Sequence, residues 1–222
     1  MDTNPYAPKE SALPETLAIF PLTGVLLLPH GNLPLNIFEP RYLEMVNDAL
    51  SGSRMIGMVQ STKANTDGRA EIYQTGCAGK ITEFAEASDG RYMLTLTGIC
   101  RFHIKEELET PRPYRIVQPD WKEFNGDITI PKALGVDRDN LLKLLSTYFQ
   151  QNGMSCDFTK FSEIPDSRLI TTLAMICPFT PSEKQALLEE ICHHKRAETF
   201  MTMLEIAIQS PEGLDNPDNQ CH

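Results

Sequence analysis

The sequence has little of what marks a membrane-spanning or nucleic-acid-wrapping protein. Its most apolar early stretch, Gly24 to Leu28, is stopped by Pro29, far short of the roughly 20 residues that span a bilayer. Positive charge is scarce, because 20 Lys and Arg stand against 30 Asp and Glu and give a net charge of −10. Since binding to nucleic acid needs a basic surface, this balance argues against a nucleic-acid partner, and we expect no membrane partner either.

Short paired cysteine spacings and an export signal are also missing. Residues 1–11 are polar, carry two prolines and lack the basic start and apolar core of a secretory signal. We therefore expect a cytoplasmic protein with buried free thiols in place of a disulfide framework. The six cysteines are Cys77, Cys100, Cys156, Cys177, Cys192 and Cys221.

Catalytic motifs are absent in the same way. The sequence contains no GxSxG elbow and no Ser-x-x-Lys pair, and Gly79-Lys80 lacks the other positions of a phosphate-binding loop. His193 and His194 are neighbours on a predicted helix and point about 100° apart, so they cannot chelate one ion. We expect no cofactor and no metal; a cysteine nucleophile paired with a distant histidine stays open as an alternative.

What is present divides the chain into two regions of different character. Residues 17–121 contain short alternating strands and turns, whereas residues 137–209 show helical spacing of apolar side chains. The segment 122–136 contains Gly126, Pro131 and Gly135 and predicts a connection. The polar ends, residues 1–16 and 210–222, are expected to be poorly ordered. The order predicts an α+β fold in which a β-barrel precedes a bundle of helices.

The strand region also carries one helix and one clear hairpin. The turn signal Ser88-Asp89-Gly90 joins two strands into a hairpin. Pro40 suits the first position of a helix that Gly52 can stop. The predicted strands cover residues 17–22, 55–60, 77–87, 91–97, 99–107 and 114–119.

The second region predicts three helices. They cover residues 137–151, 166–177 and 181–209, the last with a bend near His193. Its start is the strongest in the chain, because Thr180, Pro181 and Glu183 form the pattern of a capping box.

The segment from Ile19 to Val46 is unusually apolar for a loop region. Leu26, Leu27, Leu28 and Leu33 lie between prolines, which exclude a long helix or a regular central strand. We expect some of these side chains to be exposed, and an exposed apolar patch usually marks an interaction site. Glu39 and Arg41 flank Pro40 and are predicted to anchor a strand-to-helix junction.

These residues resemble the amino-terminal, substrate-binding domain of the ATP-dependent Lon proteases. The resemblance extends over residues 17–209, and a string of more than ten residues carries it most specifically. The matching motifs are Phe20-Pro21-Leu22, Leu26-Leu27-Leu28-Pro29, Leu33-Pro34-Leu35-Asn36-Ile37-Phe38-Glu39-Pro40-Arg41-Tyr42, Gly76-Cys77-Ala78-Gly79-Lys80-Ile81, Asp89-Gly90-Arg91, Gly98-Ile99-Cys100-Arg101-Phe102, Pro113-Tyr114 and Cys177-Pro178-Phe179.

The resemblance implies a PUA-like pseudobarrel followed by a helical bundle. It also implies a recognition module without the ATPase and protease parts, because the chain shows neither a phosphate loop nor a Ser/Lys signature. The implied partners are unfolded or partly unfolded protein segments, with a separate ATP-dependent protease as a further candidate. A second copy of this chain is another candidate partner, because the amphipathic final helix could serve self-association. An RNA-binding PUA-like module is another alternative, which the net charge opposes. The candidate binding residues are Leu26, Leu27, Leu28, Pro29, Leu33, Phe38 and Tyr42.

Overall fold

The protein has an α+β fold in which strands come first and helices follow. The structure, a computed structural model, describes residues 13–62, 71–129, 135–154, 161 and 164–209. Within these residues the elements are β1 Leu17–Pro21, β2 Asn32–Ile37, α1 Pro40–Ser51, β3 Met55–Val59, β4 Thr75–Glu86, β5 Tyr92–Leu108, β6 Arg115–Asp120, a 3-10 helix Lys122–Ile128, α2 Arg138–Gln151, α3 Asp166–Ile176, α4 Pro181–Glu189 and α5 His193–Gln209. This order confirms the predicted fold class. The predicted tails fall largely outside the described residues.

Five of the strands close into a barrel. The pairing runs β5-β4-β3-β1-β6, and β6 pairs again with β5. β1 and β3 are parallel, with Ile19 opposite Gly57, and α1 lies in the connection between them. Among the described strands β2 pairs only with β5, so it lies outside the closed barrel.

β5 is long enough for its two halves to pair with different strands. Its 17 residues join the predicted strands 91–97 and 99–107 into one, and its pairing with β4 confirms the predicted hairpin. Residues 92–97 pair with β2, whereas residues 103–108 pair with β6. β3 reaches β4 only as far as Lys80. Therefore β2, residues 92–97 and residues 81–86 form a three-stranded extension of the barrel, which we call the arm.

β2 can contain a proline because it lies at the edge of the sheet. Pro34 lacks a backbone N–H, and an edge position tolerates that loss where a central strand would not. The expectation that this proline-containing segment avoids a central strand is compatible with the result, although β2 itself was not predicted from the sequence. α1 begins at Pro40, as predicted.

Apolar side chains form two clusters. One draws on all five barrel strands and on Phe124 of the 3-10 helix, and it forms the barrel core. The other extends from Phe20 and α1 through residues 26–28 to the helices, where Leu145 and Phe200 belong to it. Because this second cluster is shared, the helices pack directly on the barrel.

A buried ion pair joins the barrel to the helices. Arg101 of β5 and Asp127 of the 3-10 helix are 1% and 2% exposed, with Nη2 and Oδ1 2.7 Å apart. The Arg101 guanidinium also donates to the carbonyl oxygens of Leu188 and Glu190, at 2.9 and 2.7 Å. Those carbonyls lie at the end of α4, where the helix dipole favours positive charge.

Carbonyl oxygens at the end of α4 also explain a difference from the predicted final helix. One bent helix over residues 181–209 was expected, but the structure has two separate helices with residues 190–192 between them. Arg196 donates to the carbonyl oxygens of Leu187 and Glu190, both at 2.9 Å. Side-chain donors thus replace the backbone donors that a continuous helix would supply. The capping box of Thr180 and Glu183 is present, as predicted. No helix in the described ranges is long and apolar enough to cross a bilayer.

Candidate functional site

The leucine-rich loop, residues 22–31, is packed inside the protein. Leu26, Leu27 and Leu28 are 2%, 2% and 0% exposed, and Pro29 is buried as well. The expectation that this loop offers accessible leucines is therefore wrong for these residues. Burying each side chain stabilises the fold by removing apolar surface from water, and in this conformation none of them is available to a partner.

Glycines in the barrel wall allow the loop to approach so closely. A Cβ atom at Gly98 would stand 2.8 Å from the carbonyl carbon of Leu28 and nearer still to its oxygen. One at Gly79 would stand 2.8 Å from Leu27 Cδ2. The His30 backbone N–H donates to the Gly98 carbonyl oxygen at 2.9 Å, which ties the loop to β5. The leucines are buried because these backbone positions carry no side chain.

The helices close over the same loop from the other side. Lys184 Nζ of α4 donates to the Gly24 carbonyl oxygen at 2.8 Å. Burial lowers the pKa of Lys184, although the ammonium keeps this hydrogen bond. Gly31 lies against Met175 of α3, so that a Cβ atom there would collide with Met175 Sδ.

The junction before α1 is held by a half-exposed ion pair. Arg41 Nη2 lies 2.7 Å from Glu39 Oε2, and the two side chains are 46% and 44% exposed. Pro40 is the first residue of the helix, and Glu39 occupies the cap position without a side-chain capping bond. This geometry fits the anchoring role predicted for the three residues.

Tyr42 and Phe38, on either side of this junction, differ in their exposure to solvent. The Tyr42 ring packs 4.3 Å from the Phe20 ring, with the Arg41 guanidinium 4.5 Å from its centroid. Burial raises the pKa of Tyr42. Tyr42 is therefore a core residue, whereas Phe38 is 65% exposed.

Phe38 lies beside further exposed apolar side chains on the arm. Met93 of β5 and Phe84 of β4 are 51% and 39% exposed. Met93 pairs with Asn36 of β2, so both side chains lie on one face of the arm, and Phe38 directly follows β2. Phe84 pairs with Leu94, so it lies on the other face. We call Phe38 and Met93 together the arm surface.

The face of the arm opposite Met93 is only partly covered by the rest of the protein. The Phe84 ring lies 5.0 Å from the Tyr92 ring, in an edge-to-face arrangement. Leu33, a candidate binding residue, and Leu35 are half-buried against the shared core. Leu33 therefore supports the arm from within and keeps part of its side chain accessible.

The arm also offers backbone groups. β2 has no described partner beyond β5, and β4 past Lys80 has no β3 residue opposite it. Such unpaired edges can accept an added strand, which makes main-chain hydrogen bonds with any sequence. Pro34 removes one donor from the β2 edge. The structure thus combines open edges with exposed apolar side chains at one place.

The cysteines show no sign of an activated nucleophile among the residues described. Burial raises the pKa of Cys77 well above its ordinary value and that of Cys177 to about 12, whereas a reactive thiol needs a lowered pKa. Cys192 is exposed, and the pKa of the neighbouring His193 is held at about 4 by burial. Cys156 and Cys221 lie outside the described residues. Within the described ranges no three His, Cys, Asp or Glu side chains are grouped to hold a metal ion.

Comparison with known proteins decides the family. A family model described as the ATP-dependent protease La (LON) substrate-binding domain matches residues 16–205. The chain belongs to this family. The match includes the barrel, the arm and most of the helices, so the resemblance seen in the sequence is confirmed.

Curated relatives of the LON domain chain are much longer proteins. It is 24% identical over 197 residues to Lon protease 2 of Myxococcus xanthus, covering 86% of this chain and 24% of that protein. It is 28% identical over 182 residues to a Lon protease of Dictyoglomus thermophilum, covering 81% of this chain and 23% of that protein. The chain thus spans about a quarter of the length of these relatives.

Solved structures agree with the LON domain fold. A Lon N-terminal domain protein from Xanthomonas campestris is 22% identical, with a TM-score of 0.57 over 84% of this chain and 97% of that chain. The N-terminal domain of a Mycobacterium avium complex Lon protease is 16% identical, with a TM-score of 0.56 over 86% and 98%. At these identities the likeness establishes the fold.

Two exposed apolar residues of the LON domain's arm were missed in the sequence. Met93 stands out from its strand as the apolar member of a face otherwise made of threonines, and Phe84 sits among Glu83, Ala85 and Glu86. An isolated large apolar residue in a polar stretch is the signal that would have found both.

Proposed function

We propose that this chain is a non-catalytic module that binds extended, apolar segments of unfolded or partly unfolded proteins at the arm surface. The observation that carries the proposal is the combination of the exposed side chains Phe38 and Met93 with two open strand edges. Membership of a substrate-binding family supports the choice of a polypeptide as the ligand.

Binding in this mode has two components. A bound segment adds a strand to the arm, which supplies main-chain hydrogen bonds without regard to sequence. Apolar side chains of that segment cover Phe38 and its neighbours. A fully buried aromatic side chain hides 150–250 Å², so covering the exposed 65% of Phe38 removes about 100 Å² and contributes about 2–3 kcal/mol before the cost of association. The result is weak and broadly selective binding.

The proposed role includes no ATP hydrolysis and no peptide cleavage by this chain. Its match to a substrate-binding domain and the lack of a phosphate loop or Ser/Lys signature in its sequence support this. A separate ATP-dependent protease is the proposed recipient of the bound polypeptide. We place the protein in the cytoplasm, since Cys77 and Cys177 are free and buried, as is usual in a reducing compartment.

Fluorescence anisotropy with a labelled unfolded protein tests the proposal. The probe is a reduced and carboxymethylated globular protein, titrated with the full chain and with Phe38→Ser. We expect the variant to bind about 30-fold more weakly or worse, because an apolar contact of about 2–3 kcal/mol is lost. Ile206→Ser is the matched control, since Ile206 is 57% exposed and belongs to α5, which is not part of the arm. Equal affinity of Phe38→Ser and the unaltered chain would refute the proposed surface.

Three peptides test the strand-addition step separately. A ten-residue apolar peptide is compared with two forms of it, one methylated at the odd-numbered and one at the even-numbered backbone nitrogens, which keeps the side chains but removes donors. We expect methylation on one set of nitrogens to abolish binding and on the other set to leave it. If both methylated peptides bind as well as the parent, the open edge plays no part.

A further inference from the structure

A concave region lies where β5, β6 and the 3-10 helix meet. It is a cavity of about 380 Å³, within the usual size of small-molecule pockets, and it is lined by residues that include Lys105, Gln118, Trp121, Lys122 and Asn125. It lies 12 residues along β5 from Met93, so it is separate from the arm surface.

Trp121 is held rigidly in this cavity. Its indole N–H donates to the Pro14 carbonyl oxygen at 3.2 Å. Its ring packs edge-on against Phe102, with centroids 5.6 Å apart. Because the N–H is already engaged and the ring is half-buried, Trp121 presents apolar aromatic surface to the cavity.

A β-bulge places Lys105 at the cavity. Ile104 pairs with Pro119 and Glu106 pairs with Gln118, so that Lys105 is the extra residue between two adjacent partners on β6. A bulge redirects a side chain away from the regular alternation of the strand. Lys122 brings a second ammonium group from the start of the 3-10 helix.

The neighbouring carboxylates have hydrogen-bond or ion-pair partners of their own. Asp120, which also lines the cavity, accepts a hydrogen bond from the Lys122 backbone N–H at 3.1 Å. Glu107 pairs with Arg115 at 2.6 Å. Within the described residues, neither Lys105 nor Lys122 has a carboxylate oxygen within ion-pair distance. Two ammonium groups without an ion-pair partner among the described residues therefore line the same cavity as an aromatic ring, on a protein of net charge −10.

We propose that this cavity binds a monocarboxylate attached to an aromatic or apolar side chain. The carboxylate lies between Lys105 and Lys122, and the apolar part packs on Trp121. A single negative charge suits the site better than a polyphosphate, because Asp120 and the acidic surface repel a more highly charged ligand. The shared chemistry has two sources, which are a free small acid and the C-terminal residue of a polypeptide.

Tryptophan fluorescence reports on this site directly, because Trp121 is the only tryptophan in the sequence. The full chain is titrated with N-acetylphenylalanine, and Trp121 fluorescence is excited where phenylalanine does not absorb. We expect a saturable change with half-saturation in the millimolar range. N-acetylphenylalaninamide, which lacks the charge, is expected to bind at least fivefold more weakly. Equal affinity of acid and amide would overturn the proposal.

Lysine variants test the two ammonium groups. Lys105→Gln and Lys122→Gln should each weaken binding about threefold, and the double variant about tenfold. Lys143→Gln on α2 is the control, since Lys143 is exposed and does not line the cavity. A double variant that binds the acid as tightly as the unaltered chain would contradict the site. Unchanged circular dichroism of each variant shows that the fold is intact.

Two further titrations separate the sources. A peptide that ends in phenylalanine with a free carboxylate is compared with the same peptide amidated at its end, and tighter binding of the free form than of N-acetylphenylalanine assigns the site to polypeptide termini. Tighter binding of N-acetylphenylalanine assigns it to free acids. A single-stranded oligoribonucleotide that binds more tightly than either would overturn the proposal in favour of nucleic acid. These outcomes do not depend on binding at the arm surface.

Discussion

Substituting Asp127 by Asn removes the only carboxylate of the buried pair while keeping the side-chain shape. Asp127 accepts three hydrogen bonds from Arg101, from the backbone N at 3.0 Å, from Nε at 2.8 Å and from Nη2 at 2.7 Å. An asparagine keeps one acceptor oxygen but places an N–H donor against the guanidinium. At least one buried N–H of Arg101 then loses its acceptor, and the charge loses its counter-charge.

The size of the effect follows from that geometry. Removing one partner of a buried ion pair costs about 3–5 kcal/mol. Arg101 keeps its hydrogen bonds to the carbonyl oxygens of Leu188 and Glu190, which places the loss near the lower end, at about 3 kcal/mol. Since domains are stable by only about 5–15 kcal/mol, the variant should lose a large share of its stability.

Urea unfolding followed by circular dichroism and by Trp121 fluorescence measures the change in the free energy of unfolding. Glu39→Gln is the matched control, because it makes the same chemical change in the exposed pair with Arg41 and should alter stability by less than about 1 kcal/mol. An Asp127→Asn protein within about 1 kcal/mol of the unaltered chain would refute the stabilising role assigned to the buried pair of Arg101 and Asp127.

Other substitutions test other parts of the fold. Gly98→Ala should destabilise by about 3 kcal/mol or more, because the added Cβ overlaps the Leu28 backbone, whereas Gly126→Ala meets nothing within 4 Å and should stay within about 0.5 kcal/mol in the same urea assay. Because the folded pKa of His193 is about 4 and its ordinary value is 6.5, the unfolded chain binds a proton first as the pH falls. Stability should therefore decline between these values, by about 1–2 kcal/mol after allowance for solvent screening, and His193→Gln should flatten the decline; an unchanged slope would contradict this. Thr180→Ala should cost about 1 kcal/mol through loss of the α4 cap, and a loss as large as that of Gly98→Ala would show that Thr180 has another role.

Features set by neighbours in sequence were predictable. The β4–β5 hairpin follows from the turn signal at residues 88–90, and the starts of α1 and α4 follow from Pro40 and Thr180. Each rests on a preference that acts within a few residues, so one sequence is enough to reveal it.

Features set by distant residues were not predictable in the same way. The loop leucines are buried because Gly98 and Met175, far along the chain, lie against the loop backbone. The break between α4 and α5 depends on Arg101, about 90 residues before it, which takes carbonyl oxygens at the end of α4. Only Phe38 of the candidate residues is strongly exposed, because the arm that displays it is assembled from β2, β4 and β5.

The contact between Lys184 and Gly24 has a consequence for synthesis. The two residues are 160 positions apart, so a ribosome making the chain finishes the leucine-rich loop long before the helix that covers it. At about 5–20 residues per second, the interval lasts on the order of ten seconds. During that time the nascent chain exposes an apolar segment of its own, which is the kind of segment that the finished protein is proposed to bind in other proteins.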